Sequence, residues 1–296
     1  MSNAAISIGV ALPQMATGLD RGRFEAWCVG VDEGPFSSIS AGERITFHNL
    51  EGITACAAAA VLTSRVRVVA NVVVLPWHRS AMIAKQLATI DVLSGGRLDV
   101  AVGVGGRGQD YHALGVPDNA RHSRLDASVT ELRALWQGGP AADGKPVGPA
   151  PVQAGGPPVY ASAMGPKSLA RAARWADGVS GFSLLADPSE IRRSNDAARS
   201  AWSAAGRADA PRLVTGSFVC LGSDSQERLR DFAYAYLEVF SPDLAASLAA
   251  AMPLHTAEAL RGAIDAAATA GCDEFIVVPA TSDPAMLIEI AAVVHG

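Results

Sequence analysis

One stretch limits what this chain can fold into more than any other. Residues 66–75, VRVVANVVVL, are dominated by β-branched and aliphatic side chains and lack the apolar–polar alternation of a strand with one wet face. Such a run belongs to a strand covered on both faces. Residues 98–104 repeat the pattern and open into a glycine-rich turn. Between them, residues 81–93 carry apolar residues at helical spacing, and Ser94-Gly95-Gly96 stops the helix. Strand, helix and strand at this length form a βαβ unit with parallel strands.

The alternation continues along the chain. Strands are predicted at 6–12, 36–41, 159–163, 178–182, 213–221 and 274–279, making eight with the two above. Helices are predicted at 23–31, 50–62, 123–136, 167–175, 189–205, 225–240, 244–251, 256–270 and 284–294. Eight βα units in 296 residues predict a single (β/α)8 TIM barrel over 1–296, since that fold needs about 250 residues. Residues 138–156, rich in Gly, Pro and Ala, read as an ordered loop or short linker, not a domain boundary. The excursion after the seventh strand, 224–256, is expected to cover the barrel mouth.

Charge and composition narrow the function. Net charge is −5 and no long basic run occurs, which argues against nucleic acid as a partner. Cys28, Cys56, Cys220 and Cys272 form no C-x-x-C pair, so neither a zinc site nor a disulfide framework is indicated, and isolated cysteines in apolar settings read as core. No apolar stretch reaches the roughly 20 residues of a membrane span, and the N-terminus lacks a signal-peptide pattern. A cytoplasmic protein with a small-molecule substrate is the expectation.

Barrel sites lie at the C-terminal ends of the strands. That rule selects Pro13-Gln14, Glu43-Arg44, Asn71 to Val73, Gly103 to Arg107, Ser162 to Gly165, Phe182 and Pro279. Gly103-x-Gly105-x-x-Gly108 formally matches a dinucleotide fingerprint, but Pro117 leaves little room for the helix it needs, and this is the fourth strand, not the first. A tight turn without a ligand is the plain alternative. The helix after Ser162 presents an N-terminus suited to a phosphate, through N–H groups of 164–167; an ordinary cap is the alternative. Glu43, His112 and His78 are the acid/base candidates, and Trp77 is a possible wall. The other histidines show no metal spacing, and no metal is expected. No Ser-His-Asp order with a nucleophile elbow occurs.

Several spaced pieces occur in order: Pro76 and Arg79, the segment ATIDVLSGGR at 88–97, Val102-Gly103-Val104-Gly105, Asp110-Tyr111, Leu114-Gly115, and a second block from Pro157 to Gly178. Together they resemble the luciferase-like family of flavin- and deazaflavin-dependent oxidoreductases. The resemblance implies a (β/α)8 barrel that uses the deazaflavin F420 for hydride transfer to or from a small organic substrate, with an FMN-dependent monooxygenase as the alternative. It places Gly103, Gly105 and Gly106 beside the cofactor ring, with Asn71, Val72 and Val73 below it and a non-prolyl cis peptide at Val72–Val73. It places the cofactor phosphate at Ser162, Ala163, Met164 and Gly165, with Arg124. It also implies a homodimer, through helices near the second and third units. Two departures matter. Arg44 stands where the family often has His, and arginine does not cycle a proton near neutral pH. Gly106 stands where some deazaflavin sugar-phosphate dehydrogenases carry Glu, which argues against that reaction. Arg44 keeps open a non-catalytic flavin-binding barrel. A cofactor-free aldolase or isomerase would need a lysine or a carboxylate pair at strand ends, where only Glu43 clearly qualifies.

Overall fold

The structure, a computed structural model, describes residues 6–295. Among these, eight parallel strands close a barrel in chain order. They are β1 (Ser7–Ala11), β2 (Ser38–Ala41), β3 (Arg67–Val74), β4 (Leu98–Gly103), β5 (Val159–Ala161), β6 (Gly178–Ser180), β7 (Arg212–Val219) and β8 (Glu274–Pro279). The outer ring is α1 (Arg21–Glu33), α2 (Gly52–Leu62), α3 (Ser80–Leu93), α5 (Arg121–Trp136), α6 (Pro166–Ala172), α7 (Pro188–Ala204), α10 (Ala257–Thr269) and α11 (Met286–His295). A short α4 (Gly108–Ala113) follows β4, and α8 (Ser225–Leu237) and α9 (Pro242–Ala250) follow β7. The expected barrel is present. Strands β5, β6 and β7 end two residues earlier than their apolar runs; after β5 and β6 the chain goes on to line cavities, at Ser162 and at Gly181 and Phe182, and after β7 Cys220 and Leu221 stay in the core.

The two faces of the barrel sheet carry different chemistry. Outward positions such as Val10, Ile39, Val68, Val100, Phe275 and Val277 pack with the helices in the main core. At the N-terminal end, inward positions are polar. Arg67 pairs with Asp99, and Arg212 Nη2 donates to Glu274 Oε2 at 2.9 Å. Ser38 Oγ donates to Glu274 Oε1 at 2.6 Å. A Cβ at Gly9 would stand 2.3 Å from Ser38 Oγ, so only glycine fits there. Asp99 and Glu274 are almost fully buried, and such charges persist only when bonded on every side.

Strand β3 departs from regularity near its C-terminal end. Its register with β4 shifts between Asn71 and Val73, leaving Val72 as a bulge. The cis peptide is at Asn71–Val72, one bond before the expected Val72–Val73. Counting back from Pro76 and Arg79 could not locate it, because the bulge absorbs a residue.

All four cysteines are buried free thiols, and burial pushes Cys28 and Cys56 up to about 12, so they stay protonated. No described helix is long and apolar enough to cross a membrane. Among the described residues no cluster of His, Cys, Asp and Glu could hold a metal ion.

The end of α1 is tied to the start of β3 by Asp32. Its carboxylate accepts from the backbone N–H groups of Ser64, Arg65 and Val66 at 2.8, 2.8 and 3.0 Å. Partial burial alone would raise its pKa, but these bonds hold it near 2. A depressed carboxylate contributes stability above its ordinary pKa of 3.8 and loses it as pH falls toward 2. Asp32→Ala should therefore lower Tm near neutral pH, with the gap to wild type closing between pH 4 and 2. Thermal melts across that window check this; a gap independent of pH would remove the carboxylate from the account.

Candidate functional site

A cavity of about 540 Å3 opens at the C-terminal ends of β2 to β5. Asn71, Val72 and Val74 form one side and the turn from Gly103 to Arg107 another. Ser162, Met164, Gly165 and Ser168, at the β5–α6 junction, form a third. Tyr236 and Phe240 reach over from α8 and the turn after it. A second compartment of about 430 Å3 adjoins it and shares Met15, Gly42, Asn71, Met164, Tyr236 and Phe240. Its remaining wall is largely apolar, with Leu12, Phe182, Phe218, Ile276 and Val278.

The glycines of the β4 turn bring backbone to the cavity surface. A Cβ at Gly103 would sit 3.0 Å from Val72 and 3.3 Å from Ser162, so β3, β4 and β5 approach one another across bare backbone. Gly105 has a φ of +64°, the left-handed region that glycine enters without penalty. Asp110 and Tyr111 hold this turn in place. Buried Asp110 accepts from Thr46 N at 2.8 Å and Arg107 Nε at 3.0 Å, clamping the β2 and β4 loops together. Burial alone would raise its pKa, yet the Thr46 bonds and the Arg107 charge hold it below the ordinary value. Tyr111 donates to the Val104 carbonyl at 2.6 Å and meets Trp77 edge-on at 5.7 Å.

Two adjacent residues at the end of β2 take different roles. Glu43 lines the cavity; its Oε2 accepts from Val74 N at 2.6 Å and its Oε1 lies 2.7 Å from His78 Nε2. Arg44 is 6% exposed, with its guanidinium 3.5 Å from the Phe47 ring centroid and 4.6 Å from that of Tyr236. Burial first, and then the Arg107 charge, pull Arg44 down to about 10. It remains a cation at neutral pH.

Of the residues expected to hold a cofactor, Asn71, Val72, Gly103, Gly105, Gly106, Ser162, Met164 and Gly165 line the cavity. Three do not. Val73 points outward into the barrel–helix core, because the bulge at Val72 sets its parity. Ala163 packs with Leu169 and Ala172 of α6. Arg124 turns its Nη2 to the Pro117 carbonyl, and His122 lines the cavity instead. Among the acid/base candidates, Glu43 lines the cavity, while His112 is exposed on α4. The sequence reading did not single out Met15, His122, Ser168, Tyr236 or Phe240. A signal existed for the last two: Phe232, Tyr236 and Phe240 recur every four residues, one helix face.

The sequence profile of the luciferase-like monooxygenase family matches residues 8–292, and the chain belongs to that family. An uncharacterized protein of Mycobacterium tuberculosis is 32% identical over 167 residues, which are 53% of this chain and 57% of that protein. The chain thus matches little more than half of that relative's length. Two solved structures share the fold. One is an F420-dependent secondary alcohol dehydrogenase in complex with an F420-acetone adduct (TM-score 0.79, 18% identity, 98% of each chain). The other is the oxygenating constituent of 3,6-diketocamphane monooxygenase from Pseudomonas putida, in complex with FMN (TM-score 0.73, 16% identity, 98% of each chain).

A Cβ at Gly106 would point toward Phe240, 3.6 Å from its Cε1, across the cavity opening. Gly106→Leu should fill that gap and weaken binding of FMN or F420 about tenfold or more, while leaving the barrel folded. Fluorescence titration beside a thermal melt checks this; unchanged affinity in a folded variant would move the ligand off this turn.

Proposed function

We propose that this protein is an oxidoreductase that works on a small organic molecule with a flavin-type cofactor, F420 first and FMN as the alternative. One observation carries the reading: a cavity at the strand ends, with bare glycine backbone from Gly103 to Gly106 on one side and the β3 bulge at Val72 on the other. A flat ring fits between two such surfaces, and the adjoining apolar compartment gives a substrate a place against it. When bound, F420 supplies a two-electron hydride carrier, whereas reduced FMN can also react with O2. Family membership and the two cofactor-bearing neighbours support either, and none of these residues separates them.

The chain's own residues do three things in this reading. Ser162 and the backbone N–H groups at the start of α6 would hold the cofactor phosphate; Gly165 N donates to Ser168 Oγ and Ser168 Oγ to the Gly165 carbonyl, an ordinary cap that would have to open for either to contribute. Arg124 faces Pro117 and would have to turn to contribute. Tyr236 and Phe240 exclude water from the mouth, which strengthens polar contacts inside. Glu43 is the residue proposed to carry the proton: it lines the cavity, its carboxylate meets Val74 N and the His78 ring, and that ring is partly exposed.

Titration with F420, FMN and riboflavin tests the cofactor, followed by turnover of the reduced protein with carbonyl acceptors and with O2. Binding of none of the three would sink the proposal, and FMN binding no tighter than riboflavin would displace the phosphate from β5. Glu43→Gln keeps a carbonyl oxygen for Val74 N and loses the carboxylate that would take up the proton. It should lower kcat/KM roughly a hundredfold or more, with cofactor affinity nearly unchanged. An unaltered kcat/KM in the folded variant would take the proton away from Glu43.

A homodimer is also proposed, in which α2 and α3 meet a second copy. These helices pack side by side and expose Val61, Leu62, Met82, Val92 and Leu93. Sedimentation at micromolar concentration checks it; a monomer there overturns it.

A further inference from the structure

We propose that Arg44 is the anchor for an anionic headgroup and that the substrate is an apolar organic acid. The proposal rests on the oxidoreductase reading for what happens to the substrate, and on the following geometry for its class.

Arg44 is 94% removed from solvent, yet none of its nitrogens donates to another described group. Its Nε and Nη1 are shut off from solvent and without a partner. No described carboxylate lies within ion-pairing distance of it. A buried charge with neither counter-ion nor hydrogen bonds is costly, and the expected remedy is a partner that arrives from outside. The surroundings do not supply one. Arg107 is the nearest cation, and its charge is directed at Asp110, which is already fully engaged with Arg107 and Thr46. Arg107 Nη1 is itself unpartnered. Glu43, the next residue, is committed to Val74 N and His78. Glu238, at the end of α8, acts on Arg44 only at longer range. Two guanidinium groups therefore share one carboxylate, and the surplus positive charge lies beside the cavity.

The mounting suits recognition of an oxyanion. The guanidinium lies over the Phe47 and Tyr236 rings, and with Nε and Nη1 shut off from solvent, Nη2 is the nitrogen left to donate to an oxyanion. Tyr236 also walls both compartments. Arg44 itself lines neither compartment, so a headgroup reaches it past Tyr236, with the apolar body in the second compartment against Leu12, Phe182, Phe218 and Ile276. Arginine at 44 gives up proton transfer and gains a fixed charge; a carboxylate substrate is the ligand for which that exchange is useful. The competing role is a strut: Arg44 stacked on Tyr236 would simply pin α8 over the mouth.

Octanoate and octanamide separate the roles, since they share a body and differ in headgroup charge. Calorimetric titration with both is run on wild type, Arg44→Met, Arg44→Lys and Arg107→Met, each with and without cofactor. Wild type should bind octanoate about tenfold or more tightly than octanamide. Arg44→Met should bring the two affinities together, Arg44→Lys should retain part of the preference, and cofactor affinity should change little in either. Equal affinities in wild type, or no octanoate binding at millimolar concentration, would overturn the proposal. So would a preference that survives Arg44→Met, or one lost only in Arg107→Met. A strut would lower Tm and leave the preference intact. If Arg44→Met does not fold, Arg44→Lys decides: a reduced preference supports the anchor and an unchanged one refutes it. Octanoate preference in a protein that binds neither FMN nor F420 would sink the redox reading and leave the anchor standing.

Discussion

The site depends on a contact between two stretches of backbone. A Cβ at Gly42 would lie 2.3 Å from the Asn71 carbonyl oxygen and 2.8 Å from Val72 N, so only glycine lets β2 pass the bulge of β3 this closely. Gly52, opening α2, stands in the same relation to Gly42, 2.5 Å from its carbonyl oxygen. Glu43 N donates to the Val72 carbonyl at 3.1 Å, and Gln14 Nε2 to the Gly42 carbonyl at 2.6 Å. The chain leaving β2 is thereby held on all sides. Glu43 and Arg44 come next, and the directions of their side chains follow from this clamp: one to Val74 and His78, the other under Phe47.

The two ends of the barrel treat charge differently. At the N-terminal end each buried acid has an arginine, Asp99 with Arg67 and Glu274 with Arg212, and serines take up remaining lone pairs. Burial raises the Tyr160 phenol in the same layer, which keeps it neutral. This is a polar plug in which both acids are paired and one donor, Arg212 Nε, is left without a partner. At the C-terminal end Asp110 is satisfied, while Arg44 and Arg107 retain donors with no partner. A barrel divides its labour in this way, with the bottom serving stability and the top serving binding and chemistry.

Much of the architecture was legible because covered parallel strands leave an unmistakable trace. The β8 limits of 274–279 coincide with the structure, and β3 differs by one residue at each end. Local chemistry also carried the glycine turn, since a left-handed Gly105 is a property of the residue itself. What was lost depended on direction and on distance in sequence. Arg124 was placed by its spacing before Trp136, but spacing does not fix where a long side chain turns. His112 has the right chemistry and the wrong face of α4. The Glu43–His78 bond joins residues 35 apart, on loops after different strands, and no local pattern announces it. Arg44 was recognised as a departure, but its lack of an ion-pair partner became visible only with the fold.

That lack of a partner bears on how the proton is handled. A buried cation packed on two rings does not serve as acid or base near neutral pH, so in the proposed reading the task passes to a neighbour that touches both the cavity and a route to water. Glu43 is the proposed neighbour: it lines the cavity, with one oxygen fixed by Val74 N and the other 2.7 Å from His78 Nε2. Holding one oxygen fixes the carboxylate plane, and the histidine gives the proton somewhere to go. Had residue 44 been histidine, one side chain would have had to bind the substrate and move the proton. In the proposed reading adjacent residues on one clamped turn divide those tasks, Arg44 holding the substrate and Glu43 moving the proton.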